Sequence, residues 1–262
     1  ELRVVYQPIV DAATGMIVKA EALVRWPHMG RGPVPPPEFI TLAEETGMIV
    51  PLSREVFERV CADIAELEAD MPPGFRISVN LSGVNFMDAQ LIPTVRAELA
   101  KAGVPASRIE FELTETVLMR DLDYATGILA QLREMGVRVA VDDFGCGFSS
   151  LGSLNRLPFD RIKIDRAFVR ELTPATSQDC IARIIVKLAK SLGLDVIAEG
   201  VETPGQRDLL VAMGCNELQG FLFSLPMPAY ELERLALDAD NKPEEMEFRR
   251  SLFSETYLGK LH

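Results

Sequence analysis

Histidine is almost missing from this sequence: only His28 and the terminal His262 occur. That scarcity argues strongly against a Ser-His-Asp triad or a His-rich metal centre, so any bound metal must be held by oxygen. The four cysteines, Cys61, Cys146, Cys180 and Cys215, form no Cys-x-x-Cys pair. A zinc cluster is therefore not expected, and reduced thiols in a cytoplasmic protein are. No apolar run reaches the roughly 20 residues of a membrane span, and no signal-peptide pattern opens the chain. Positive charge is also short. With 27 Lys and Arg against 39 Asp and Glu, the net charge is −12, which opposes binding long nucleic acid through a basic face. A small anionic ligand stays compatible where metals and a few placed cations offset that field.

What is present suits a large core. The 262 residues, 48% of them hydrophobic, exclude disorder and allow one large domain or two small ones, with enough length for a (β/α) barrel. The chain opens on Leu2-Arg3-Val4-Val5-Tyr6, almost inside a strand, and so reads as a piece of something longer.

Strand-like runs alternate with amphipathic helical runs. The expected strands are Val4–Ile9, Val18–Arg25, Arg76–Leu81, Ile109–Thr114, Val137–Asp142, Arg161–Asp165, Asp195–Glu199 and Glu217–Leu222. Helical patterns include Ser53–Ala69, Ala89–Ala102, Asp121–Met135, Thr176–Leu192 and Pro204–Met213, with Gly103, Gly136, Gly193 and Gly214 as stop signals. Only Asp11–Ile17 joins the first two strands, too short for a crossover, so they predict an antiparallel hairpin. After it the β-then-α order repeats. The expectation is one α/β domain, a modified (β/α)8 TIM-type barrel with an antiparallel first strand over residues 1–240. Residues 241–262 read as a C-terminal extension able to form a helix, and Pro27–Pro37 as a loop.

Alternation along the strands sorts polar residues by face. Between Ile109, Phe111 and Leu113, Glu110 and Glu112 must face the barrel axis. The same test turns Ser78, Asn80, Asp142, Lys163, Glu199 and Gln219 inward, and puts Glu21 and Arg25 on one face. Seven strands thus carry a polar group toward their C-terminal ends, where barrel enzymes keep their chemistry. Asp142 and Asp143 are adjacent. Two carboxylates about 4 Å apart repel by roughly 4 kcal/mol at an effective dielectric near 20, so the pair must share a proton, be well solvated or hold a cation. Four or more carboxylates with one Lys and one Arg at a single mouth favour cations and a phosphate ester.

The ordered set of motifs resembles one family. Glu21-Ala22-Leu23 with Val24-Arg25-Trp26 is similar to the signature of EAL domains, the cyclic di-GMP phosphodiesterases. Tyr6-Gln7-Pro8-Ile9, Ser78-Val79-Asn80-Leu81-Ser82, Glu112-Leu113-Thr114-Glu115, Asp142-Asp143-Phe144-Gly145, Ile162-Lys163-Ile164-Asp165, Ala198-Glu199-Gly200-Val201-Glu202 and Gln219-Gly220-Phe221-Leu222-Phe223 follow in order. The resemblance implies hydrolysis of cyclic di-GMP to linear pGpG with two Mg²⁺ or Mn²⁺ ions. It implies that Glu21, Asn80, Glu112 and Asp142 hold one metal and Asp142, Asp143 and Glu199 a second. Lys163 resembles the lysine at the attacking water, with Gln219 nearby and Glu21 and Glu199 also in the catalytic set. Gln7, Arg25 and Asp165 resemble substrate contacts, and Glu115 the anchor of the loop after Asp143. A homodimer through the Asp121–Met135 face and that loop, and a sensor or cyclase-like domain elsewhere in the full chain, are implied too. Cys146, Phe148 and Leu225 depart from the usual family residues. The competing reading is a non-catalytic cyclic di-GMP receptor, which would ordinarily lack one of these carboxylates.

Overall fold

The computed structural model describes residues 2–67, 71–145, 156–178 and 180–237. The expected extension at 241–262, Cys146 and Phe148 lie outside them.

The chain opens with a hairpin of β1 (Arg3–Asp11) and β2 (Ile17–His28), antiparallel from Arg3 opposite Arg25 to Ile9 opposite Lys19. Its turn is made by Asp11, whose Oδ1 accepts the Ala13 and Thr14 N–H groups. Segment 27–37 is more ordered than a loop. β2 runs on through Pro27 and His28 and pairs with β3 (Gly32–Val34), and α1 (Pro36–Thr46) starts directly after. Prolines fit here because this hairpin lies at the sheet edge, where a missing N–H costs no ladder bond, and because Pro suits a helix start. Trp26 packs edge-on against His28 and against Phe39 of α1.

Parallel strands follow: β4 (Arg76–Asn80), β5 (Ile109–Thr114), β6 (Arg138–Phe144), β7 (Arg161–Ile164), β8 (Asp195–Ala198) and β9 (Glu217–Gln219). They pair in the order β2-β4-β5-β6-β7-β8-β9, and β9 returns antiparallel to β1, which closes the barrel against β2. The expected fold is therefore present, with an antiparallel first strand. The strands at 161, 195 and 217 stop earlier than alternation suggested, leaving Asp165 and Glu199 on the loops just past them.

Helices cover the outside: α2 (Ile49–Leu67), α3 (Gly83–Phe86), α4 (Leu91–Ala102), α5 (Glu115–Met119), α6 (Leu122–Met135), α7 (Arg166–Arg170), α8 (Ile181–Leu192), α9 (Pro204–Met213) and α10 (Ala229–Leu237). α8 begins at Ile181, not Thr176, because the Thr173 and Thr176 hydroxyls and backbones bond each other in turns that compete with helix. It buries Ala182, Ile185, Val186 and Ala189, one stripe at helical spacing. On the outer face of β1, the buried Tyr6 hydroxyl donates to Asp63 of α2 at 2.5 Å, and Arg59 meets the same carboxylate at 2.9 Å. Burial pushes the thiols of Cys61 and Cys215 up to about 12. Among the described residues, no helix is long and apolar enough to cross a membrane.

The barrel interior is built in layers, each drawn from alternate strands. Ser78 pairs with both Glu21 and Glu110, Ala140 with Glu112 and Arg161, Ile197 with Lys163 and Glu217, and Ile9 with Lys19 and Gln219. Crossing two strands therefore slips the register by two residues, and four such steps give the eight-residue stagger of this barrel type. From the bottom, one layer is Lys19, Glu110, Arg161 and Glu217. The next is Ile9, Ser78, Ala140 and Ile197, all fully buried. Above it stand Glu21, Glu112, Lys163 and Gln219, and then Gln7, Asn80, Asp142 and Glu199 at the mouth.

Candidate active site

Lys163 is the centre of the two upper layers. Its ammonium, buried at 1% exposure, lies 2.5 Å from Glu112, 3.5 Å from Asp142 and 3.9 Å from Glu21, and pairs most closely with Glu199. Gln219 Nε2 donates to Glu21 at 2.8 Å and to Gln7 at 3.3 Å, and Asn80 Nδ2 donates to Glu21 at 2.7 Å. The structure thus brings together Gln7, Glu21, Asn80, Glu112, Asp142, Lys163, Glu199 and Gln219. Four carboxylates face one ammonium, an excess of three negative charges when all are ionised.

That excess governs the proton affinities. Burial alone would lower Lys163, but Glu112, Glu199, Glu21 and Asp142 outweigh it and hold the ammonium well above its ordinary range. Lys163 is therefore a permanent cation and hydrogen-bond donor, not a general base. Burial pushes Glu112 well up despite Lys163, with Glu21, Asp142 and Glu199 adding to it. Glu199 rises to about 8, through burial opposed by Lys163 and reinforced by Asp142 and Glu21. Glu21 goes the other way. Burial raises it, but Lys163 and the donors on Gln219 and Asn80 hold it below the usual carboxylate range.

The donor set fits divalent cations. Among the described residues no three acidic, His or Cys side chains meet as a ready metal cage, because the carboxylates converge on Lys163. Yet Glu112 Oε1 and Gln219 Oε1 are buried without a hydrogen-bond partner, and every ligating atom available is a hard oxygen. Two such free oxygens beside uncompensated negative charge suit a divalent cation.

Asp142 and Asp143 reach the mouth through a break in regularity. The β6–β7 register shifts between Val141 and Phe144, and Asp143, with φ of 52°, is the only left-handed non-glycine among the described residues. Its N–H donates to Asp142 Oδ1 at 2.9 Å. Such a bulge re-aims successive side chains that would otherwise point to opposite faces. Burial, then Asp142 and Asp165, raise the Asp143 carboxyl. Asp165 caps α7 by accepting the Ala167 N–H at 2.8 Å. Buried Glu115 accepts the Gly145 N–H at 3.0 Å, immediately after the acidic pair. Arg25 lies at the edge of the carboxylate cluster, near enough to Glu21 to feel its charge. It is half-buried, and its guanidinium donates to the Val24 carbonyl at 3.0 Å. Gln7 Nε2 donates to the Ser224 carbonyl at 3.2 Å, next to half-buried Leu225. Beyond β8, Gly200 has φ of 65°, and a Cβ there would stand 2.5 Å from that of Arg166. Glycine thus lets the chain turn tightly just past Glu199.

Alternation turned Glu110 inward correctly, but Glu110 does not reach this mouth. It lies one charged layer below, bonded to Lys19 at 2.5 Å and to Arg161. Lys19, Arg161 and Glu217 were not singled out from sequence. Each sits two residues before a site residue on its strand, which is the signal that identifies them.

The comparisons with known proteins agree with this geometry. The EAL domain profile matches residues 1–226. This chain belongs to the EAL domain family. The domain is 42% identical over 227 residues to the bifunctional diguanylate cyclase/cyclic di-GMP phosphodiesterase MucR of Pseudomonas aeruginosa, covering 87% of this chain and 33% of that protein. It is 43% identical over 234 residues to the cyclic di-GMP phosphodiesterase NbdA of the same organism, covering 89% and 30%. Thus the EAL domain spans about a third of the length of these curated relatives. The solved MucR phosphodiesterase in complex with c-di-GMP superposes with a TM-score of 0.84 at 42% identity, covering 88% of this chain and 94% of that one. A calcium/cyclic di-GMP complex of Klebsiella pneumoniae BlrP1 gives 0.73 at 30% identity, covering 86% and 56%.

Proposed function

We propose that this EAL domain is a cyclic-di-GMP-specific phosphodiesterase that opens one ester bond to yield linear pGpG with two Mg²⁺ or Mn²⁺ ions. The observation that carries the reading is the gathering of Glu21, Glu112, Asp142 and Glu199 around Lys163 at the barrel mouth. Glu21, Asn80, Glu112 and Asp142 would hold one ion, and Asp142, Asp143 and Glu199 the other. Bound there, the ions supply Lewis-acid polarisation of the phosphoryl group and a more acidic water. Lys163, always charged, donates a hydrogen bond that orients the attacking oxygen, and Gln219 fixes Glu21 and Gln7 beside it. Gln7, Arg25 and Asp165 face the substrate, Arg25 toward a phosphate. Glu115 holds the backbone after Asp143 and so the aim of both aspartates. The complex formed by MucR and the calcium/nucleotide complex of BlrP1 support the substrate and the need for divalent cations. Homodimerisation, a cytoplasmic location and a cyclase-like or sensor domain elsewhere in the full protein belong to the same proposal, the last supported by the bifunctional name of MucR.

Incubation with cyclic di-GMP and Mg²⁺ or Mn²⁺ is expected to release pGpG, resolved by chromatography, and Glu21→Ala to abolish it. No product with either metal, and a variant indistinguishable from the unmodified protein, would overturn the enzyme. Tight nucleotide binding without turnover would make the domain a receptor.

A pH dependence follows from Glu199. Its carboxyl titrates near 8 when no cation is bound, and a cation requires the ionised form. Protons therefore compete below that value. Mn²⁺ affinity, measured by calorimetry between pH 6 and 9, is expected to weaken as pH falls below 8, by about tenfold per pH unit for each proton displaced. The raised Glu112 and Asp143 carboxyls act in the same direction. A flat profile contradicts the assignment of Glu199 as a ligand.

A further inference from the structure

The lower charged layer has a pattern the upper one lacks. Around the barrel its members run Lys19, Glu110, Arg161, Glu217, with signs that alternate. Lys19 bonds Glu110 at 2.5 Å and Glu217 at 2.8 Å. Arg161 bonds Glu110 closely and Glu217 at 3.4 Å. The result is a closed four-membered ring of ion pairs whose own charges sum to zero, and three of its members are no more than 4% exposed. Outside the ring, Arg161 also meets the part-exposed Asp195 at 3.3 Å, a pair that solvent screens. Each member lies two residues below an upper-layer residue on the same strand: Lys19 under Glu21, Glu110 under Glu112, Arg161 under Lys163 and Glu217 under Gln219. Two residues of strand span about 7 Å. Only Ile9, Ser78, Ala140 and Ile197 lie between, all fully buried and none of them charged.

We infer that this ring sets the divalent-cation affinity of the mouth, with Glu110 and Glu217 acting as positioning residues that cancel the charges of Lys19 and Arg161 beneath it. The inference rests on the cation-binding reading of the mouth and adds residues that never touch the ions. Its physical basis is distance and dielectric. Buried charges roughly 7–10 Å from a dication are screened far less than surface ones, and at an effective dielectric near 20 one uncancelled charge there changes affinity by about tenfold or more. An unbalanced Lys19 and Arg161 would repel incoming cations. A ring that only braced the strands would matter through its bonds, whatever its net charge.

That difference gives the test, read as Mn²⁺ affinity by calorimetry, with thermal unfolding in chelator as the measure of folding. Glu110→Gln leaves the ring at +1 and is expected to weaken Mn²⁺ binding by about tenfold or more. Glu217→Gln, at a more exposed position, is expected to act in the same direction and serves if Glu110→Gln does not fold. Lys19→Gln leaves the ring at −1 and is expected to tighten binding. The decisive variant is Lys19→Gln with Glu110→Gln, which restores neutrality while removing the pair, and its affinity is expected to return to within about threefold of the unmodified protein. If the double variant binds as weakly as Glu110→Gln or more so, the ring is a brace and the inference is overturned. Equal Mn²⁺ affinity in the unmodified protein and the foldable single Glu→Gln variants overturns it too. Absence of Mn²⁺ binding by the unmodified protein overturns the reading of the mouth itself, an outcome distinct from both.

Discussion

Glu112→Gln is expected to lower cyclic di-GMP turnover by at least about a hundredfold while leaving the cation-free protein as stable as before or more so. The two effects have one origin. Glu112 is enclosed at the junction of β5 with the mouth, one oxygen on Lys163 at 2.5 Å and the other without a partner. Burial and three neighbouring carboxylates push its carboxyl well above the usual range, so its charge is a cost to the fold until a cation arrives. The amide keeps the shape and still accepts from Lys163, but it cannot offer the anionic oxygen that a divalent ion requires. Functional sites commonly oppose stability in this way. Steady-state turnover in Mg²⁺ and a urea transition in chelator check both halves. Undiminished turnover would remove Glu112 from the ligand set. A loss of stability of more than about 2 kcal/mol would mean that its ion pair, not its crowding, dominates.

Gly220→Ala is expected to be the most damaging single methyl in the described part of the barrel. A Cβ at Gly220 would stand 2.1 Å from the Val201 carbonyl oxygen, 2.3 Å from its nitrogen and 2.7 Å from its carbonyl carbon. All three are backbone atoms, so no rotamer change relieves the contact. The segments after β8 and β9 are also tied at this point by hydrogen bonds from Val201 N–H to Gln219 and from Leu222 N–H to Val201, at 3.0 and 2.9 Å. Separating them must displace Glu199 or Gln219 or both. A destabilisation of about 3 kcal/mol or more is expected, at the upper end for overpacking, with turnover lost even in whatever fraction folds. Denaturant unfolding and activity per folded molecule measure it. A variant with near-native midpoint and rate would show that the two segments can part without harm.

Much of this site could be read from alternation alone. Ile109-Glu110-Phe111-Glu112-Leu113 admits one arrangement with the apolar set outward, and the structure keeps Glu110 and Glu112 on the axis and Ile109, Phe111 and Leu113 under the helices. Ser78, Asn80, Lys163 and Gln219 follow the same rule. Asp143 escaped it, because a bulge suspends alternation and nothing in Asp142-Asp143-Phe144 announces one beyond the glycine that follows. Pro27–Pro37 escaped for another reason. Proline content reads as loop, but at a sheet edge and a helix start proline is no obstacle.

What the sequence determined by itself is the face of each residue and the hard-oxygen character of the site. With two histidines and scattered cysteines, no other donor set was open to this chain. What the tertiary structure decided is height along the axis. Glu110 and Glu112 are alike in sequence terms, yet one closes a neutral ring with Lys19, Arg161 and Glu217 while the other joins an open, over-charged set around Lys163. Facing follows from the geometry of neighbouring residues, which alternates along any strand. Height follows from the eight-residue stagger of a closed sheet, set by strand pairing between segments as distant in sequence as β1 and β9, where Ile9 lies opposite Gln219.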